Sequence, residues 1–471
     1  MNQDSSTTRV AAWLRAEIRR LAPGDRLPST RSLVEAHKVS PVTVSRALAA
    51  LAAEGLITIR PGAGAFVCER AARSDPADLS WQAIALGERP VSGEGLSPLA
   101  DPPEAGDLIS LASGYPHSAL MPTQALSRAL SHAARAPQAW DRPPTAGLAS
   151  LRAWFAQSAG AGACDPGNVI ITPGGQAAIT ASLRAVARPG EPLLVESPTY
   201  PGALAAARLA GIRVLPVPVD SHGVIPGLLA QAFARSGARG FYCQPAYHNP
   251  TGTVLAAERR AQVLAAAAAA QAFIIEDDAC RWLSHDGHPP RPLLADDPDG
   301  RVIYLTSLTK AASPSLRVGA IIARGPVAAR LHTIRVIDDT FTARPLQEAA
   351  LDLVTRPGWE RHLRELSREL ARRAQALARD TRALLPAVDF ILPAGGTHLW
   401  ARLPAGTDDT EIARAARQAG VVVLPGQPFF PAEPLAPHLR LTFSAAVSVA
   451  GLRSGLERLA QAAPVLTRSV T

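Results

Sequence analysis

Of 48 lysine and arginine residues in this chain only two are lysines, Lys38 and Lys310, so arginine supplies the cation almost everywhere. A guanidinium stays protonated, whereas a desolvated ε-amine can lose its proton and attack a carbonyl to form a Schiff base. Lys310 has neighbours suited to that chemistry. In YLTSLTKAASPSLRVG (Tyr304–Gly319), Ser307 stands three residues before it and Arg317 seven after it, offering a hydroxyl and a cation to a phosphate. An aldehyde that carries a phosphate is pyridoxal 5′-phosphate (PLP), whose usual anchor is a lysine Schiff base. The alternative is a lysine spared at random by a compositional bias, and the company Lys310 keeps argues against it.

Other stretches offer matching chemistry. FIIEDDACRWL (Phe273–Leu283) drives a buried strand into two acids, and carboxylates there need a cation or water. A pyridinium nitrogen is such a cation for Asp277, while Asp278 is expected to point the other way into solvent. NVIIT, the turn PGGQ and the helix AAITASLRAVA place glycines where free helix amides favour a phosphate, a common α/β turn and a weak signal alone. Arg440, in HLRLTFS, is an arginine with apolar strand neighbours and few structural reasons to be there.

S-L-T-K-x-x-x-P-x-x-R-x-G resembles the cofactor-lysine segment of class I/II aminotransferases, the fold-type I PLP enzymes. By that resemblance Gly175 and Gln176 join Ser307 and Arg317 around the phosphate. Tyr200, in VESPTYPG, stacks on the ring; Asn249, in NPTG, meets its phenolic oxygen; Asp277 holds its nitrogen protonated. Arg440 would clamp a substrate or effector α-carboxylate with its fork, beside Gly114 of ISLASGYPHSALMP. Two departures stand out. Arg142 occupies the place of a tyrosine that reaches the partner subunit's phosphate, five residues before the glycine of TAGLASLR. Cys280 replaces another on the phenolic oxygen, and a thiol is the poorer donor. Tyr247 is the candidate to compensate.

The elements around these residues begin with a separate module. Val10, Trp13, Leu14, Ile18 and Leu21 predict a helix over 8–21, a second fits Thr30–His37, and Ser40-Pro41 opens a third that stops at Gly55. LITIRPGAGAFV then alternates as a hairpin tipped by Gly62 and Gly64. Together these make a winged helix-turn-helix, and LPSTRSLVEAHKVSPVTVSRALAALAAEGLITIRPGAGAFV is similar to the GntR family of bacterial transcription regulators. The resemblance implies a recognition helix over Pro41–Ala53 with Thr43 and Arg46 facing the major groove, and Ser29, Arg31, Gly62 and Gly64 on backbone or minor groove. Lys38, in the turn, reads as solvated surface. A protein-docking winged helix is the alternative.

Residues 71–108 lose periodicity and collect proline and glycine, which predicts a linker, with Leu79–Leu86 (LSWQAIAL) as a short docked helix. Beyond it the architecture expected is α/β, a mostly parallel sheet with helices on both faces over about 140–325. A smaller α+β part over about 326–471 follows, holding long helices over about 326–355 and 359–385. A net charge of +8 and a pI near 9.9 favour an acidic partner, nucleic acid before anionic membrane, although an arginine-rich genome gives the same balance. Four scattered cysteines without CxxC spacing suit a reducing compartment, no apolar stretch is long enough to span a bilayer, and a cytoplasmic location is expected.

The whole resembles a MocR-type regulator, a GntR winged helix (1–70) fused to an aminotransferase-like domain (109–471). That implies a homodimeric, PLP-binding transcription factor that senses PLP or an amino compound through Lys310. A working aminotransferase with an accessory DNA module is the alternative. An effector domain that has lost PLP is a third, opposed by the joint presence of Lys310, Asp277, Asn249 and Arg317.

Overall fold

Ser29 and Ser40 each open a helix by accepting a backbone N–H three residues on, from Ser32 at 3.1 Å and from Thr43 at 3.2 Å. Losing such a cap costs about 1 kcal/mol. The helices they start, Thr30–His37 and Pro41–Ala53, have the expected bounds. The first helix, Gln3–Ile18, begins five residues earlier than expected and ends short of Leu21, where Asp25 accepts the Ala22 amide at 2.7 Å and fixes a turn. Strands Ile57–Arg60 and Gly64–Val67 pair antiparallel, with Arg60 opposite Gly64. Gly64 has φ 110°, a backbone conformation that side-chain-bearing residues rarely adopt, so the wing needs glycine there. Val10, Leu14, Leu33, Val44, Leu51, Ile57 and Val67 close one small core.

The computed structural model describes residues 3–68, 78–87, 108–159 and 164–468, and the chain divides into units Met1–Pro90 and Val91–Thr471. Most of the expected linker lies outside the described residues. Its helix is present over Ser80–Leu86, but Trp81, Ile84 and Leu86 are 60%, 84% and 78% exposed rather than docked.

The second unit is built on eight strands. In spatial order they are Val169–Thr172, Gly319–Ile322, Val302–Ser307, Phe273–Asp277, Gly240–Cys243, Pro192–Ser197, Arg213–Asp220 and Gly223–Val224. The five from Val302–Ser307 to Arg213–Asp220 run parallel. Their apolar runs are buried on both faces: Ile275, Ile303 and Tyr242 join one core, and Ile274, Tyr304 and Phe241 the other.

The helix expected over 326–355 is broken. It forms Pro326–Asp339 and Arg344–Thr355, with Thr340 at φ 60° between them and Pro345 in the opening turn of the second, where proline cannot continue a preceding helix. Pro357–Leu384 then leads to a three-stranded sheet whose middle strand, His438–Thr442, is flanked by His398–Arg402 and Leu424–Pro425. Ile109–Ser110, from the other end of the unit, pairs with Val421–Val422, and Leu111 accepts the Thr442 amide at 2.8 Å. No described helix is long and apolar enough to cross a membrane.

Candidate functional site

Parallel sheets present their strand C-termini, and the loops after them, on one edge. Asp277 and Ser307 end their strands; Tyr200, Gln244 and Asn249 follow theirs, and Lys310 lies three residues past Ser307. One topological fact therefore gathers residues scattered over 110 positions.

Lys310 Nζ lies 3.4 Å from Cys280 Sγ, and burial pushes the thiol up while the lysine charge opposes it. Asp277 is buried. Its Oδ2 accepts Tyr242 Oη–H at 2.6 Å and Gln244 Nε2–H at 3.0 Å. Burial raises its pKa, opposed by Tyr242, Lys310 and Gln244. Neither Tyr242 nor Gln244 was singled out from sequence. Tyr242 hides in the apolar run GFYC, while a glutamine directly after a buried strand was the readable signal for the other.

The helix Gly175–Val186 starts against Ser307 and Arg317. Gly174 has φ 89°, and a Cβ on it would strike the Arg317 guanidinium at 2.8 Å; Ser307 Cβ is 3.8 Å from where one on Gly175 would lie. Arg317 Nη2 donates to the Pro173 carbonyl at 2.8 Å, and Ser307 Oγ pairs with Thr309 Oγ1 at 2.6 Å. The result is a cradle of first-turn amides, hydroxyls and a guanidinium with no room for a side chain on Gly174. The Gln176 side chain is occupied elsewhere: it accepts Tyr200 Oη–H at 3.2 Å and donates to the Gly202 carbonyl at 2.9 Å.

Arg440 is 1% exposed. Nη1 donates to Asn249 Oδ1 at 3.0 Å, Nη2 to the Ala112 carbonyl at 2.6 Å, and the guanidinium lies 5.3 Å from the Phe429 ring centre. Nε has no partner, and burial pushes the group down to about 10. Gly114 approaches Nη2, a Cβ there falling 4.0 Å away.

One expectation is revised. Asp278 does point away from Asp277, but it is buried, accepting Tyr304 Oη–H at 2.7 Å beside Arg281 at 3.3 Å. Burial pushes the Tyr247 hydroxyl up, opposed by Ser284 and reinforced by Asp286, Asp278 and Cys280. Arg142 sits over Phe341, 5.9 Å from the ring centre.

Glu276, the third acid in the run, accepts the Leu293 and Leu294 amides at 2.7 and 3.0 Å. Burial and the Asp278 charge push it up to about 8. A raised carboxyl pKa contributes stability in full below the ordinary 4.5 and loses it as pH rises through about 8. The Tm of wild type should therefore fall relative to that of Glu276→Gln between pH 5 and 8; a difference between the two that stays constant through this window contradicts the assignment.

On the winged helix, Thr43 is 6% exposed, and its Oγ1 lies 2.9 Å from Ser40 Oγ. The exposed side of Pro41–Ala53 carries Val42, Ser45 and Arg46 instead. Helical periodicity across VTVSRAL was the signal for this. Ser29 caps its helix, and Arg31, 91% exposed, pairs with Glu35.

Residues 106–459 match the family model "Aminotransferase class I and II". The chain belongs to that family. Residues 6–67 match "Bacterial regulatory proteins, gntR family", so this class I and II chain has the two-part MocR-type arrangement. It is 30% identical to the HTH-type transcriptional regulator YdcR of Escherichia coli over 86% of its own length and 88% of that protein's. It is 29% identical to the HTH-type transcriptional regulator TauR of Rhodobacter capsulatus, over 94% and 93%. Among solved structures, the α-aminoadipate aminotransferase LysN of Thermus thermophilus, complexed with N-(5′-phosphopyridoxyl)-L-leucine, aligns with TM-score 0.73 and 29% identity. The alignment covers 80% of this chain and 97% of LysN. The alignment therefore spans nearly all of a free-standing enzyme.

Proposed function

We propose that this protein is a PLP-binding, homodimeric, cytoplasmic transcription regulator whose aminotransferase-like domain senses PLP or an amino compound at Lys310 and sets the affinity of the winged helices for promoter DNA. The observation that carries it is the convergence of Lys310, Asp277, Asn249, Arg317 and Arg440 in one unit of a chain whose other unit is a GntR-type winged helix. The glycine cradle at Gly174 and Gly175 fits the phosphate of PLP, and the buried Asp277 carboxylate fits its ring nitrogen. When bound, PLP supplies an aldehyde for an amine and a ring that accepts electrons.

The chain's own residues do the rest. Arg317, Ser307 and the amides of Gly175 and Gln176 hold the phosphate. Tyr200, braced by Gln176, covers the ring; Asp277 keeps a proton on the ring nitrogen, and Asn249 offers its amide to the phenolic oxygen. Arg440 and Gly114 receive a carboxylate. Lys310 carries the reacting amine, and Cys280, at 3.4 Å, offers it only a weak sulfur partner where a tyrosine hydroxyl is expected. That substitution favours sensing over turnover.

The test is to follow visible absorption of the full-length protein with PLP while adding a panel of amino acids, and to measure binding to the DNA upstream of its own and the neighbouring divergent gene. A band that shifts with one amine and persists, with altered DNA affinity, supports a sensor. Decay of the band with accumulation of a keto acid makes the protein an aminotransferase first. DNA binding indifferent to PLP and every amine ends the sensing proposal.

The DNA face gives a separate expectation. Arg46→Ala should weaken promoter binding by about 1–3 kcal/mol. Thr43→Ala should lower Tm by loosening the helix start while leaving affinity close to wild type. Electrophoretic mobility shifts on both variants check this; the opposite pattern assigns base reading to Thr43.

A further inference from the structure

Asp277 and Arg440 are joined by hydrogen bonds that run through Gln244 and Asn249. Gln244 donates Nε2–H to Asp277 Oδ2 at 3.0 Å and accepts the Asn249 backbone N–H on Oε1 at 3.3 Å. Asn249 in turn accepts Arg440 Nη1–H on its Oδ1 at 3.0 Å. The backbone of Gln244 is fixed too, since its N–H donates to Glu196 Oε2 at 2.7 Å, and Gln244 is 5% exposed. The relay is thus continuous, buried and anchored.

We infer that Gln244 is a positioning residue that couples occupancy of the Arg440 carboxylate site to the ring-nitrogen end of the cofactor site; this rests on the function proposed above. A carboxylate that takes the Arg440 fork competes with Asn249 Oδ1 for Nη1. Asn249 then shifts against Gln244, whose amide shares Asp277 Oδ2 with Tyr242. Coupling of this kind is reciprocal: if a carboxylate changes PLP affinity by some factor, PLP changes carboxylate affinity by the same factor. A chain of contacts carries no coupling until it is measured. Tyr242 provides the control. It contacts the same Asp277 oxygen at 2.6 Å, but no hydrogen bond joins it to Asn249 among the described residues.

The experiment uses full-length protein and maleate, a dicarboxylate that has no amine to react. PLP affinity is measured by equilibrium dialysis with and without saturating maleate, and maleate affinity by calorimetry with and without PLP. Wild type should show a coupling factor of about fivefold or more, in the range of measured allosteric couplings. Gln244→Met should bring the factor close to one while each ligand still binds alone. Tyr242→Phe should weaken PLP binding and keep the factor. Should Gln244→Met fail to fold, Gln244→Asn carries the same test, because the shorter amide cannot span both partners. An unchanged factor in Gln244→Met, its loss in Tyr242→Phe, or no coupling in wild type overturns the inference. If wild type takes up no PLP, the function proposed above fails and the inference falls with it.

Discussion

Lys310→Ala should abolish covalent capture of PLP: the variant should show no visible band that survives gel filtration, while wild type keeps one. The reason lies in what else the pocket offers an aldehyde. Among the described residues the only other lysine is Lys38, in the winged-helix unit, and the guanidinium groups around the cleft stay protonated. No second lysine in that unit can substitute. The phosphate cradle at Gly174, Gly175, Ser307 and Arg317 is untouched, so PLP should still bind reversibly, detectable by dialysis. A retained covalent adduct in Lys310→Ala removes that lysine from its role. If the adduct is lost but amine-dependent DNA binding persists, sensing does not need the covalent bond.

The second large effect concerns Arg440. It is a guanidinium buried to 1% exposure with an unpartnered Nε, and burial pushes it down to about 10. Phe429, Asn249 Oδ1 and a carbonyl solvate it, but no carboxylate lies among its hydrogen-bond partners. Removing one side of a buried charged hydrogen bond costs about 2–5 kcal/mol in binding, so Arg440→Met should weaken carboxylate ligands by that amount. The same change removes a desolvated charge, and Tm of the ligand-free protein should hold or rise. A variant that loses stability and keeps carboxylate affinity would show Arg440 to be a structural strut.

Much of this site was legible because it is carried by short local patterns. Lys310, Ser307 and Arg317 lie within eleven residues, close enough for spacing to bring them to notice, while Asn249 came to notice through the family resemblance of its tetrapeptide. What stayed hidden was side-chain direction. Thr43 and Arg46 are three apart on one helix, yet one faces the core and the other water, a matter of about sixty degrees of helical phase. Asp278 was expected in solvent because its neighbour was spoken for. Its partners, Tyr304 and Arg281, come from a neighbouring strand and from the turn after its own. The single helix expected over 326–355 failed for a local reason, since leucine and alanine periodicity continues straight through the break at Thr340.

The pairing of Ile109–Ser110 with Val421–Val422, and the carbonyl of Ala112 against Arg440, give the two units different birthdays. Every residue in the winged-helix core has been synthesised once Val67 is added, whereas the surroundings of Arg440 need a strand that ends at Thr442. At the usual pace of about 5–20 residues per second, translation separates the two by roughly 20–75 seconds. During that interval a nascent chain carries its winged-helix surface without the site proposed above to receive an effector. On that proposal such a chain is blind to its signal, and a truncated message would release it permanently in that condition.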